Sequence, residues 1–308
     1  MNLLLVIAGL ILLLFGGDWL VRSGVSLAAR FQISPLIIGL TIVSMGTSAP
    51  ELMVSVQAAL DGYPDMAMGN VVGSNIANIS LVLGLTALIL SIPVSRETVR
   101  FSWPVMFFST LLLFVFATNH IISRIEGLIM LTALVAFIYL LYRRSRKHLV
   151  QKDDKPKVFS LFASLAILTG SIAALMFGAN LLVKGAVGLA TALGVSERII
   201  SITVVAFGTS VPELATSLVA AFRKQLDISV GNLIGSNIFN ILCILGLTAT
   251  IKPMQVSEQL LKIDLPVVLG VALLLGLFFL PLKKPVIKSW KGLVLISVYF
   301  AYYYIVFS

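Results

Sequence analysis

Moving the chain 162 residues along itself lays one half on the other. GTSAPEL at 46–52 falls on GTSVPEL at 208–214, and GNVVGSNIANI at 69–79 falls on GNLIGSNIFNI at 231–241. Between Thr41/Thr203 and Ala87/Ala249 the halves share 25 identities in 47 ungapped pairs. Chance agreement between apolar segments supplies matched Leu, Val and Ala, but not matched Thr, Ser, Asn, Pro and Glu. Fainter echoes extend the repeat: Phe15-Gly16 with Phe177-Gly178, Pro104 with Pro266, and, at an offset of 165, GLIML at 127–131 with GLVLI at 292–296. Any fold for this chain must use one unit twice.

Composition then names the solvent. Of 308 residues, 59% are apolar and 11% charged, against about 25% charged in a soluble globular chain. So few charges cannot cover a water-facing surface, which excludes ordinary soluble domains, disorder and a small disulfide scaffold. Apolar stretches fall at 3–22, 35–60, 66–92, 101–119, 122–142, 158–183, 196–222, 228–251, 262–282 and 291–307. Barrel strands would be shorter and would alternate in polarity, so these are helices. The first stretch, Leu3 to Leu14, lacks a basic leader and runs on to Val21 without a cleavage site, so it reads as a retained span.

The expected fold is an all-α polytopic membrane protein with ten transmembrane helices arranged as two inverted five-helix repeats. Residues 1–142 form the first repeat, 143–157 a basic cytoplasmic connection and 158–308 the second repeat. Five crossings is an odd number, so the second unit must traverse the bilayer in the opposite sense. Placing the connection after the fifth stretch in the cytoplasm, with every second connection beside it, collects 17 of the 22 basic residues. The positive-inside rule then puts both termini outside, in the cell (plasma) membrane. This placement explains the net charge of +9 without a nucleic-acid partner. The run from Arg143 to His148 reads as a topology signal, with contact to anionic lipid or a regulator as the alternative. Cys243, the single cysteine, excludes an intrachain disulfide and reads as a small buried hydrophobe.

The doubled motifs place polar chemistry inside the second, third, seventh and eighth spans. A carboxylate near the bilayer centre costs at least a few kcal/mol, so Glu51 and Glu213, at equivalent positions, imply a positive charge between them. Pro50 and Pro212 lack an N–H and crowd the carbonyls of Gly46 and Gly208. Neighbouring carbonyls at Ser44, Thr47, Ala206 and Thr209 can then turn away from the helical ladder, as in broken helices that offer oxygens to cations. Thr47 and Ser48 share a helical face with Glu51, and Thr209 and Ser210 with Glu213; Ser74 and Asn78, and Ser236 and Asn240, are i, i+4 pairs. Gly69, Gly73, Gly231 and Gly235 would let these helices approach closely. The assembled set is all oxygen, without an obvious His or Cys ligand, and suits hard cations such as Ca²⁺ and Na⁺. Two carboxylates neutralise one Ca²⁺. Taken singly, the serines and asparagines read either as ligands or as packing groups bonded to helix carbonyls. Asp18, aligned with Asn180, reads as a capping or solvated group near a membrane end; Asp61, Asp65 and Asp227 as loop residues; His120 and His148 as solvated span ends.

With these residues in place, the sequence resembles the cation/Ca²⁺ antiporter superfamily, specifically the sodium/calcium exchanger family in its prokaryotic form. The likeness covers essentially the whole chain and rests on GTSAPE with GxxxGSNIxN, present in both halves; the short middle segment leaves no room for a large regulatory domain. The resemblance implies that Glu51 and Glu213 are central Ca²⁺ ligands, helped by the carbonyls of Thr47 and Thr209. It implies flanking Na⁺ sites from Ser48 and Ser74 on one side and Ser210 and Ser236 on the other, with the carbonyls of Ser44 and Ala206, and a centre lined by Asn78 and Asn240. Some relatives carry Asp at the position of Asn240. Its absence here removes a carboxylate for a proton or K⁺ and speaks against K⁺ dependence. The expectation is a secondary antiporter, not an enzyme, exchanging Na⁺ for Ca²⁺ by alternating access, with the first and sixth spans moving against the rest. No resident cofactor is expected, and the partners are the two ions and the lipid bilayer; protein partners cannot be read from the chain. H⁺/Ca²⁺ exchange is the alternative, followed by a cation channel and, without a supporting motif, an intramembrane hydrolase.

Overall fold

The computed structural model describes residues 1–145, 158–194, 208–280, 282 and 285–307. Among them, eight helices are long and apolar enough to cross a membrane, and a bent pair makes a ninth candidate. In chain order they are α1 (Asn2–Phe31), the bent pair α2 (Pro35–Thr47) and α3 (Ala49–Leu60), α4 (Pro64–Ile89), α5 (Thr98–Ala117), α6 (Arg124–Arg144), α7 (Leu161–Ala192), α8 (Val211–Phe222), α9 (Leu226–Ile251), α10 (Leu260–Phe278) and α11 (Ser289–Val306). The shorter α8 is the described part of the expected seventh span. Residues 195–207, with Ala206, and most of the basic connection lie outside the described residues.

Four departures from simple apolar runs position the site. First, the second span is not one helix: α2 and α3 meet at Ser48 (φ −85°, ψ 9°) with a bend of 47°. Pro50 lies in the first turn of α3, where a missing N–H is tolerated because it would have no helical partner. Second, both central helices change pitch beside their motifs, into π-helix at Ala77–Leu83 in α4 and Asn240–Leu245 in α9. Such turns leave part of the i−4 ladder unmade and recur at functional positions.

Third, α1 and α7 outrun the apolar stretches that announce them, at 30 and 32 residues. At about 1.5 Å per residue they exceed the roughly 30 Å of hydrocarbon that a span must cross. Ser23 and Ser26, both fully buried, carry α1 past the point where its hydrophobic run ends. Asp18 therefore lies inside a helix and does not cap one. It pairs with Arg22 one turn on, at 2.9 Å, and with Arg223 just beyond α8.

Fourth, short strand pairs tie the connections together. β1 (Ile92–Pro93) pairs antiparallel with β4 (Val286–Ile287), and β2 (Ile121–Ile122) with β3 (Met254–Gln255). The offsets of the repeat carry β1 onto β3 and β2 onto β4, so the two ribbons are equivalents built from opposite halves.

Packing is densest where α4 and α9 run through the molecule; 72% of each helix's most apolar window is buried, against 33% for α1 and 28% for α7. α2 crosses α9 at Gly39, Gly231 and Gly235, where a Cβ on Gly235 would lie 2.7 Å from the Leu40 backbone. Outside their own helix, no described atom lies within 4 Å of a Cβ built on Gly69 or Gly73. A second seam runs between α1 and α7, with Gly9 against the Gly178 carbonyl and Gly16 against Leu175.

Candidate ion-binding site

The bend at Ser48 and the crossing of α2 with α9 bring the two halves' motifs into one buried centre. Ser48 Oγ, at the joint in the first half, donates to Glu213 Oε1 of the second at 3.0 Å. Ser74 Oγ donates to Glu51 Oε1 at 3.5 Å. Thr47 Oγ1 donates to Asn232 Oδ1 at 3.1 Å and lies 3.5 Å from Ser236 Oγ. Ser48 lies three residues before Glu51, so its bond to Glu213 ties the two acidic turns together.

Of the residues singled out in the sequence, Glu51, Glu213, Thr47, Ser48, Ser210, Ser74, Ser236, Asn78, Asn240 and Ser44 are all at most 3% exposed. Thr209 is half-buried, and Ala206 lies outside the described residues. Ser44 behaves differently from the expectation of a freed carbonyl. Its oxygen stays in the ladder, accepting from Ser48 N at 2.9 Å and from Thr47 Oγ1 at 3.3 Å. The N–H that Pro50 lacks would have served Gly46, so the proline leaves the Ser44 bond intact.

Several buried oxygens have no partner among the described residues: Glu51 Oε2, Glu213 Oε2, Asn78 Oδ1 and Asn240 Oδ1. Buried polar atoms are ordinarily satisfied, and leaving them bare costs kilocalories each. Two carboxylate oxygens and two amide oxygens, drawn from both halves, are the kind of donor that a desolvated hard cation satisfies.

A second layer of amides supports the centre, and sequence reasoning assigned none of it a role. Asn70 Nδ2 donates to the Glu51 carbonyl at 3.2 Å and to Ser55 Oγ at 2.9 Å. Its repeat equivalent Asn232 donates to Ser217 Oγ at 3.1 Å while accepting from Thr47. The signal was available, because Asn70 and Asn232 belong to the doubled GN motifs and Ser55 and Ser217 are also matched across the repeat.

The family model described as sodium/calcium exchanger protein matches residues 1–143 and 163–308. The chain belongs to the sodium/calcium exchanger family. It is 39% identical to the protein CaxA of Alkalimonas amylolytica, over 98% of both chains. It is 31% identical to the sodium/calcium exchanger MaX1 of Methanosarcina acetivorans, over 99% of this chain and 98% of that one. Among solved structures it is similar to the sodium-calcium exchanger NCX_Mj soaked with Na⁺ and Sr²⁺. The TM-score is 0.83 at 32% identity, covering 97% of this chain and 96% of the other. This exchanger-family chain is accordingly an integral membrane protein of a transporter family whose members are cation/Ca²⁺ antiporters and not enzymes.

Proposed function

We propose that this chain exchanges Na⁺ for Ca²⁺ by alternating access, as a secondary antiporter whose ions compete for the centre around Glu51 and Glu213. The observation that carries this reading is the convergence of one glutamate from each half on a buried, oxygen-rich centre whose oxygens include several without a partner among the described residues. Two carboxylates balance one Ca²⁺. Na⁺, which accepts the same oxygen donors, takes the same ground with Ser48, Ser74, Ser210 and Ser236 flanking it and the Thr47 and Thr209 carbonyls assisting. Because the glutamates serve both loads, the two are carried in turn, and the gradient of one drives the other.

Ten crossings in two inverted five-helix repeats fit the ribbons. β1 and β4 follow the third and ninth crossings, and β2 and β3 the fourth and eighth, so each ribbon joins connections of the same parity and the two ribbons lie on opposite faces. With the basic connections in the cytoplasm, both termini face outside. The long α1–α7 pair, packed along one stripe and otherwise exposed, is the element suited to move against the rest.

The test is ⁴⁵Ca²⁺ uptake into proteoliposomes loaded with Na⁺. A Na⁺ gradient is expected to drive uptake and a pH gradient in its place is not. Uptake driven by the pH gradient alone would overturn Na⁺ coupling in favour of H⁺/Ca²⁺ exchange, and flux persisting without any counter-ion would indicate a channel.

A further inference from the structure

The doubled GSN motifs carry two more amides, Asn75 in α4 and Asn237 in α9, each 1% exposed. They occupy equivalent positions and behave differently. Asn75 Nδ2 donates across the halves to the backbone oxygen of Asn237 at 3.3 Å, and Asn75 Oδ1 accepts from Asn240 Nδ2 at 3.0 Å. Asn237 turns back on its own helix and donates to the Leu233 carbonyl at 2.8 Å.

This short chain of bonds has a fixed polarity. A backbone carbonyl can only accept, so the nitrogen of Asn75 must face Asn237. The oxygen of Asn75 then faces Asn240, which must answer with its own nitrogen. Asn240 Oδ1 is thereby turned away from the network, and it is the oxygen left without a partner among the described residues. Asn78, the repeat counterpart of Asn240, has no such anchor among the described residues: neither its oxygen nor its nitrogen finds a partner there. A cation binds the oxygen of a carboxamide and is repelled by its NH₂ end, so an amide free to rotate must be oriented at each binding event, whereas a held one is ready beforehand.

We propose that Asn75 is a positioning residue that holds the Asn240 carboxamide with its oxygen toward the transported cation, so that the second half contributes a fixed amide ligand and the first half a rotatable one. The proposal rests on the reading of this centre as the Ca²⁺ site.

The experiment uses the purified full-length protein. Ca²⁺ titration calorimetry in Na⁺-free buffer gives the half-saturation for binding, and proteoliposome uptake separates half-saturation from maximal rate. Asn75→Leu removes both bonds at similar volume. It is expected to raise the Ca²⁺ half-saturation about tenfold, the usual scale for a lost outer-layer partner of a metal ligand, with the maximal rate within about twofold. Asn75→Asp keeps the acceptor for Asn240 Nδ2 and is expected to stay within about threefold of wild type. In an Asn240→Ala background, Asn75→Leu is expected to add nothing, because a group that acts through Asn240 has no effect once that amide is gone. Wild-type half-saturation in Asn75→Leu, equal weakening by Leu and Asp, or a full additive loss in the double variant would each overturn the proposal. Should Asn75→Leu not yield folded protein, Asn75→Ala carries the same expectations. Wild-type protein that binds Ca²⁺ but shows no Na⁺-driven uptake would sink the exchange reading and leave the titrations to judge Asn75.

Discussion

The helices around the glutamates (α2, α3, α4, α8 and α9) and the α1–α7 pair are built from the same apolar alphabet, yet they are held in different ways. α4 and α9 are enclosed on most of their surface; α2 crosses α9 closely at Gly231 and Gly235, and bonds run from Thr47 to Asn232, from Asn75 to Asn237 and from Ser48 to Glu213. α1 and α7 meet along a glycine seam and present much of the rest of their surface outward, Phe15 and Phe177 included. In a bilayer that outward surface loses nothing by sliding, since lipid tails are as apolar as the side chains they touch. The difference teaches that one repeat unit can hold some of its helices by close crossings and cross-bonds and others by a single seam, which is the division of labour that the proposed exchange requires.

The largest effect is expected at the centre. Glu51→Gln or Glu213→Gln removes half the charge facing a divalent ion in a dry site, on the scale of breaking a buried ion pair, and should cut Na⁺-driven Ca²⁺ uptake by about 100-fold or more. Wild-type rates in either variant would erase the distinction between the centre and its surroundings.

Next in size is a matched pair of glycine substitutions. A Cβ on Gly235 would lie 2.7 Å from the Leu40 backbone, and one on Gly9 2.7 Å from the Gly178 carbonyl. The clashes are alike, but α2 and α9 are hemmed in while α7 has room to shift outward. Gly235→Ala should therefore lower stability by about 2–3 kcal/mol, and Gly9→Ala by about 1 kcal/mol, measured by thermal unfolding in detergent. Gly9→Ala should also slow uptake while leaving Ca²⁺ binding intact. Equal destabilisation would show that the α1–α7 pair is as tightly held as the centre.

A smaller effect is expected at the one described ion pair that joins the α1–α7 pair to the end of α8. Asp18→Asn removes its bonds to Arg22 and Arg223, and should change uptake rates by about two- to fivefold, the range of partly exposed ion pairs, without altering Ca²⁺ affinity in calorimetry. A changed affinity would place Asp18 in the ion site.

The smallest effect belongs to the surface. The hydrogen bond from Lys262, with its charge, holds the Glu258 carboxyl below the usual glutamate range. A depressed folded-state value means that any stabilisation is present above the ordinary glutamate pKa and is lost as pH falls through the lowered one. The pair is fully solvated, so Glu258→Gln should match wild type in uptake at pH 7, and their thermal midpoints should draw together in acid.

Much of this was legible in the chain. The doubled Glu, Ser and Asn residues and the prolines were visible because chance agreement between apolar runs does not supply identical polar letters. The bend at Ser48 was half visible: Pro50 marked the place, but the Ser44 carbonyl remains bonded because the missing N–H would have served Gly46. Asp18 was misplaced because hydrophobicity marks where an apolar run ends, whereas the helix continues on buried serines and glycines. The π-helical turns at Ala77 and Asn240 left no mark, since a change of pitch does not alter which residues are apolar.

By itself, the sequence determined the medium, the repeated unit and the chemical identity of the groups in the centre, because composition and periodicity follow directly from which side chains must avoid water. Only the tertiary structure decided which oxygens meet and how the halves differ. Two copies of a motif share their local propensities, but the Asn237 carbonyl on which Asn75 anchors belongs to the other half, and contacts of that kind are fixed by how helices distant in sequence pack.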